Sequence, residues 1–411
     1  MVDNYNISFE NTEYAFAYKK NSELKKANFL FSAMGKPWLV KLGLTFTPLA
    51  IKWKLPFTIP TIRSTIFQQF VGGETLAETA LVAKKLAVYN VEVILDYGVE
   101  GGEDGEAGFD HATDEFIRVI DYAATQPNIP LISIKVTGFS RFELLQKIEE
   151  LMNSLDGTLM KKYLGSLELL TAIEKEEWQR VCARMLKVCE SAAGNKIGLL
   201  VDAEETWIQG PVDAITILMM DTFNKNRVVV YNTIQLYRHD RFKFLQDSFE
   251  AAADRNFILG AKLVRGAYME KERRRAEEMK YRSPIQATKE DTDNDYNAAV
   301  EFCIKRLQVI AVIIATHNEH SNLFATALMQ QNNILLNDKH VHFSQLFGMS
   351  DNITFNLAKA GCSVSKYLPF GPIKDVIPYL MRRAQENSSV SGQTGRELGL
   401  IKKELARRRL S

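Results

Sequence analysis

Two adjacent guanidinium groups, Arg382 and Arg383, stand one helical turn before a carboxylate, Glu386, in the stretch YLMRRAQEN. On a helix Glu386 is i+4 from Arg382 and i+3 from Arg383, so the three side chains share part of one face. In a partly closed site such a pair suits bidentate capture of a carboxylate or a phosphate. On an open surface it is a solvated ion-pair stripe. Further cations and aromatics stand where apolar runs end: Lys135, Arg265 and His317, with Tyr237, Tyr268 and Tyr367, while Tyr379 opens the arginine stretch. Asp202 supplies a second anion. Lys135 suits an ion-pair partner, a cation that positions substrate, or a Schiff-base nucleophile. Asp202 reads equally as a strand-end cap or a functional carboxylate, and His317 as a hydrogen-bonded core residue or a catalyst. There is no His-Glu-x-x-His, no Ser/His/Asp order and no strand-borne Gly-x-Gly-x-x-Gly. Cys182, Cys189, Cys303 and Cys362 are scattered and away from zinc spacing, so no metal site is expected.

The elements that would carry these residues are short apolar runs. Eight occur in order: VEVILDYG, LISIKVTG, IGLLVDAEE, VVVYNTIQLYRHD, ILGAKLVRGAY, VIIATHN, VHFSQLFG and SKYLPFG. Each has the length of a strand buried on both faces. Segments with helical periodicity, such as RFKFLQDSFEAAADRN and NAAVEFCIKRLQ, lie between most of them. Strands alternating with helices imply a parallel sheet with crossover connections, and eight units imply an α/β fold of the (β/α)8 TIM-barrel type. Active sites of such barrels lie at the C-terminal ends of the strands. There the polar tips of all eight runs converge. Residues 1–75 read as an N-terminal helical arm, 76–390 as the barrel and 391–411 as a C-terminal amphipathic helix. That helix has Leu398, Ile401 and Leu405 on one side and Lys402, Lys403 and Arg407 to Arg409 elsewhere. It suits packing on its own barrel or a weak contact with an anionic membrane. The acidic, glycine-rich loop GVEGGEDGEAG reads as mobile and lacks the spacing of a phosphate-binding loop.

Composition narrows the class. Of 411 residues, 46% are apolar and 25% charged, as in ordinary soluble domains, and a net charge of +1 gives no reason to expect a nucleic-acid partner. The cysteines read as reduced thiols of a cytosol-like compartment. Asp3, Glu10 and Glu13 argue against a transit peptide. The most apolar stretch, WLVKLGLTFTPLAI, contains Lys41 and Pro48 and is too short to span a bilayer. A soluble, cytoplasmic or peripheral protein is expected. From residues alone the reading is a barrel enzyme acting on a small carboxylate or phosphate, with flavin and aldolase-like chemistry both open.

The ordered set ISIKVTG, VDAEE, IQLYRHD, KLVRGAY, ATHN, SQLFGM, YLPFG and YLMRRAQEN resembles flavin-dependent proline dehydrogenase of the monofunctional type, from about residue 70 to 387. The resemblance implies oxidation of L-proline to 1-pyrroline-5-carboxylate, the first step of proline catabolism. Hydride would pass from C5 to N5 of a non-covalent FAD, and the electrons then to a membrane quinone. It also implies a last helix lying over the barrel mouth and no fused second dehydrogenase. Arg382 and Arg383 would clamp the proline carboxylate, Glu386 would hold the pair, and Lys135 would lie on the other side of that carboxylate. Asp202 would pair with Lys135 or an arginine, and Leu346, Tyr367 and Tyr379 would wall the pyrrolidine ring. The flavin would rest on Ala203, Gln235, Lys262, Arg265 and the Gly266-Ala267-Tyr268 turn, with Gln235 at its pyrimidine side. Thr316, His317, Asn318 and Lys289 would complete its site. Many bacterial members carry Arg at the position of Lys262 and Lys at that of Arg265, so either cation could tune N5. A hydroxyproline-preferring enzyme, and an aldolase using Lys135, are the alternatives.

Overall fold

The computed structural model describes residues 7–53, 55–98, 105–389 and 393–410, except for the side chains of residues 48, 386–389 and 393. The acidic loop therefore lies largely outside the described residues, and so does the side chain of Glu386.

Eight strands follow one another in chain order and close into a barrel. They are β1 (Glu92–Tyr97), β2 (Leu131–Ile134), β3 (Gly198–Val201), β4 (Val230–Gln235), β5 (Leu259–Val264), β6 (Ile310–Ala315), β7 (Val341–Leu346) and β8 (Val364–Phe370). All eight apolar runs of the sequence are strands. Pairing is parallel; Glu92 of β1 stands opposite Ser365 of β8, and Lys262 of β5 opposite Thr233 of β4. β2, β3 and β8 are buried along their whole length, because helices cover the outside and side chains fill the inside. That is why they read as continuous apolar runs rather than alternating ones. Helices lie between the strands, and local chemistry sets their ends. Thr171 caps the helix Ala172–Asn195 in a capping box with Glu174, and Lys196 leaves it in the left-handed conformation.

Packing divides the chain into two compact units, residues 3–99 with 344–411, and residues 100–343. In the first, the N-terminal helices Thr12–Phe16 and Asn21–Met34 share a core with the C-terminal helix Gln393–Arg407. Phe16, Leu24 and Phe31 meet Leu400, Ile401 and Leu405, with Val376 and Leu380 of the arginine segment in the same cluster. The apolar side of the C-terminal helix is thus buried against the N-terminal helices of its own unit. Under this core lies a buried charge. Lys366 of β8 has no exposed surface and pairs with Asp351 at 2.9 Å, at the start of the helix Asp351–Lys359. Lys366 also donates to the Met349 carbonyl at 2.5 Å, and Tyr18 Oη donates to Asp351 at 2.8 Å. Burial disfavours ionising Asp351, but Lys366, Lys19 and Tyr18 outweigh it and hold the carboxyl below its ordinary range.

The second unit has an analogous tie. Arg241, at the start of the helix Arg241–Arg255, grips Asp213 of the helix Thr206–Phe223 at 2.7 and 2.9 Å. Gln209 and Asn232 donate to the same carboxylate at 2.9 and 2.8 Å, so both helices are fixed against β4.

Removing one member of a buried pair leaves the other charge uncompensated. Asp351→Ala should therefore cost about 3–5 kcal/mol and lower the thermal midpoint by several degrees. Asp351→Leu combined with Lys366→Met should recover most of the loss. A single variant that unfolds with the parent would show that the ammonium is answered elsewhere.

Candidate active site

Within residues 100–343 the chemistry gathers just past the C-terminal ends of β2 to β6. Lys262 of β5 is 6% exposed, and its Nζ lies 2.5 Å from Asp202 Oδ1. Asp202 follows β3 directly, and its backbone N–H donates to the Ile134 carbonyl at 2.8 Å, prolonging the β2–β3 ladder by one residue. Thr233 of β4 donates to the Val201 carbonyl at 2.8 Å, which locks the strand between them. Lys262 was not among the expected partners of Asp202.

Two residues further on, Glu204 is 4% exposed. Its carboxylate accepts from the Thr137 hydroxyl at 2.7 Å and the Thr137 N–H at 3.2 Å. Burial pushes its pKa up to about 7, opposed by the charge of Lys135, which follows β2. Glu204 was absent from the sequence-derived site. The only signal for it was its place two residues after Asp202, beside the Thr of ISIKVTG. Gln235 ends β4, 2% exposed, and its Nε2 donates to the Glu204 carbonyl at 3.2 Å. Gln235 Oε1 is buried and accepts no hydrogen bond from the described residues.

Arg265 is held on every side. Its Nε donates to Asp293 at 2.8 Å, Nη1 to Thr316 at 2.5 Å and Nη2 to Ser321 at 3.0 Å. The guanidinium lies 4.3 Å over the Tyr296 ring. Lys289 pairs with the same Asp293, so Arg265, Lys289 and Thr316 form one cluster. Burial raises the Asp293 pKa, but both cations outweigh it and the carboxyl lies below its ordinary range. Gly266 follows with φ +137°, where a Cβ would stand 2.4 Å from the Tyr237 ring. Only glycine suits that position. Ala267 is exposed, and Tyr268 and His317 are half-buried. Asn318 caps the helix Glu319–Gln331, its side chain accepting from the Ser321 N–H at 3.0 Å. Ala203 is 8% exposed between the two carboxylates.

Within the other unit, the arginine segment is a helix, Ile377–Ser389. Val376, Leu380 and Arg383 recur at helical spacing, so the side that enters the core carries a guanidinium with it. Arg383 is 5% exposed and lies 5.1 Å over the Tyr379 ring, while Arg382 is half-buried. The solvated-stripe reading fails for Arg383. Leu346 and Tyr379 are partly buried against the same core. Tyr367 is buried in β8, and its carbonyl accepts from the Phe347 N–H at 2.8 Å.

These residues fit a polar planar cofactor. A buried amide oxygen with no donor among the described residues, a buried ammonium, and a glycine turn beside an aromatic ring are what a flavin ring system needs at its edge.

The proline dehydrogenase family profile matches residues 80–396. Proline dehydrogenase 1, mitochondrial, of Dictyostelium discoideum is 33% identical over 376 residues, which is 84% of this chain and 65% of that protein. Carbapenem antibiotics biosynthesis protein CarD of Pectobacterium carotovorum is 34% identical over 339 residues, 82% of this chain and 83% of that protein. Proline utilization A from Bdellovibrio bacteriovorus shares the fold with a TM-score of 0.69 at 18% identity, over 96% of this chain and 38% of that one. The chain thus spans less than two thirds of the Dictyostelium protein and of that solved structure.

The raised pKa of Glu204 has a thermodynamic consequence. A carboxyl whose folded pKa exceeds its unfolded value near 4.5 destabilises the fold once ionised. The penalty is absent below that value, grows as pH rises and is complete above about 7. Glu204→Gln should unfold at a higher temperature than the parent at about pH 8, with the gap closing toward about pH 5. A gap independent of pH would contradict the burial of an ionisable group here.

Proposed function

Because the chain belongs to the proline dehydrogenase family, we propose that it oxidises L-proline to 1-pyrroline-5-carboxylate with non-covalent FAD, and that a quinone receives the electrons. Bound flavin supplies a two-electron acceptor for the hydride that leaves C5 of proline. What carries the reading to this chain is Arg383. Its guanidinium is 5% exposed on the core side of its helix and lies over the Tyr379 ring, and a planar, little-hydrated cation of this kind suits bidentate capture of the carboxylate of a small amino acid. Arg382 completes a bidentate clamp and Glu386 positions the pair, and by the family resemblance Lys135 is a further cation for the carboxylate. Leu346, Tyr367 and Tyr379 wall the apolar ring and keep water from it.

On the flavin side, Gln235 Oε1, buried with no donor among the described residues, would accept from the N–H of the pyrimidine ring, and Ala203, Gly266, Ala267 and Tyr268 would line the ring system. Thr316, His317, Asn318 and Lys289 extend that site. The two cations divide their work. Arg265 has its nitrogens engaged by Asp293, Thr316 and Ser321, so it builds the wall of the cofactor site. Lys262, oriented by its pairing with Asp202, would be the cation that tunes N5 and would favour the anionic reduced ring.

Losing a buried bidentate partner of a carboxylate costs about 2–4 kcal/mol. Arg383→Met should raise the KM for proline by about 30- to 800-fold, with kcat affected less. The experiment for the reaction itself is anaerobic addition of L-proline to the flavin-loaded protein, with hydroxyproline alongside. Bleaching of the visible absorbance by proline is expected. A protein that stays colourless with added FAD, or an unchanged KM in the variant, would overturn the proposal. Faster bleaching by hydroxyproline would reassign the substrate. Borohydride trapping of an adduct on Lys135 without flavin would favour the aldolase.

A further inference from the structure

The helix Pro37–Lys52 and the residues after it bear a stripe of large apolar side chains that none of the described residues covers. Trp38 is 65% exposed, Leu42 49%, Phe46 58%, Leu49 39%, Trp53 66% and Phe57 79%. The first five recur at intervals of three or four residues, which places them on one face of the helix. Monomeric soluble proteins seldom expose a contiguous apolar stripe of this kind unless it has a partner. The opposite face is already used. Leu39, Val40 and Leu44 point to an apolar cavity of about 190 Å³ whose far wall is Ile377, Leu380 and Met381 of the arginine helix.

The surrounding charge identifies the partner. Between Glu23 and Glu74 the chain has no acidic residue, while Lys25, Lys26, Lys36, Lys41, Lys52, Lys54 and Arg63 fall within that interval. Lys36, Lys41 and Lys52 are exposed beside the aromatic stripe. Tryptophan and phenylalanine flanked by lysine suit the headgroup level of a bilayer, where rings enter the acyl boundary and ammonium groups meet lipid phosphate. A second copy of this chain is a poor occupant, since a two-fold contact through this face would set the same lysines against one another. Spanning does not arise: among the described residues no helix is long and apolar enough to cross a membrane, and 16 residues reach only about 24 Å.

We propose that the helix Pro37–Lys52, with the turn through Phe57, lies flat on an anionic phospholipid surface and anchors the protein there. The inference stands on this face and not on the reaction proposed above. The test is co-sedimentation of the flavin-loaded protein with phosphatidylcholine vesicles containing about 30% phosphatidylglycerol, beside vesicles of phosphatidylcholine alone. The parent should sediment with the anionic vesicles and at least about tenfold less with the neutral ones. The combined variant Trp38→Ser, Phe46→Ser, Trp53→Ser, and separately Lys36→Glu, Lys41→Glu, Lys52→Glu, should each lose at least about tenfold in partitioning. Flavin content and turnover with a soluble dye should stay as in the parent, since these side chains belong to no part of the proposed site. No sedimentation of the parent, or variants that sediment like it, would overturn the proposal. So would a parent dimer that ignores vesicles and becomes monomeric in the aromatic variant, because a second copy would then own the face.

Discussion

An ammonium group with no exposed surface must have its charge answered inside the protein, and Lys366 sets that condition for residues 3–99 and 344–411. The answer is Asp351, but Asp351 is placed by several elements at once. Tyr18 donates to it from the N-terminal segment, and the Ser350 N–H beside it donates to Glu397 of the C-terminal helix. β8, the helix after β7 and both ends of this unit are therefore tied through one buried polar network. The same unit carries the arginine helix, whose Leu380 is seated in the core that the network underlies. Buried polar networks must be satisfied in full or they cost stability, so the helix that presents Arg383 is registered as well as packed.

The other unit applies the same physics to chemistry. Lys262 is buried and needs Asp202; Arg265 needs Asp293; Glu204 is pushed toward neutrality by burial, which outweighs the charge of Lys135 and the hydrogen bonds from Thr137. Three ionisable groups in one neighbourhood thus have three different answers to burial. Such divergence marks candidate functional sites, because a reaction needs charges that are fixed before substrate arrives. Gln235 adds a polar atom whose partner no described residue supplies. The likeness to proline dehydrogenases runs over residues 80–396, while the electrostatics that single out these strand ends are a separate, local observation.

Much of the fold was legible in the sequence, and the reason is physical. Parallel strands covered on both sides must be apolar throughout, so the eight runs stood out, and their polar tips marked the strand ends. What sequence could not carry was burial of particular side chains. Lys366 sits inside the run SKYLPFG and looks like an interruption until Asp351 is beside it. Arg265 and Lys262 lie three residues apart and read as interchangeable cations. Only the packing of Asp293 and Ser321 against one, and Asp202 against the other, separates them. The stretch from Trp38 to Ile51 was visibly apolar, yet whether its stripe is covered depends on where the neighbouring helices fall. The C-terminal helix is the converse case, since its apolar side is taken up by Phe31 and Leu24 from the other end of the chain.

We propose that a hydride leaves C5 of proline while Arg383 holds the carboxylate. The most direct measurement is anaerobic single-turnover reduction of the bound flavin by L-proline deuterated at C5, set against proline deuterated at C2. Slower reduction is expected with deuterium at C5, and no change with deuterium at C2. Slowing by deuterium at C2 instead, or no reduction by either compound, would contradict it.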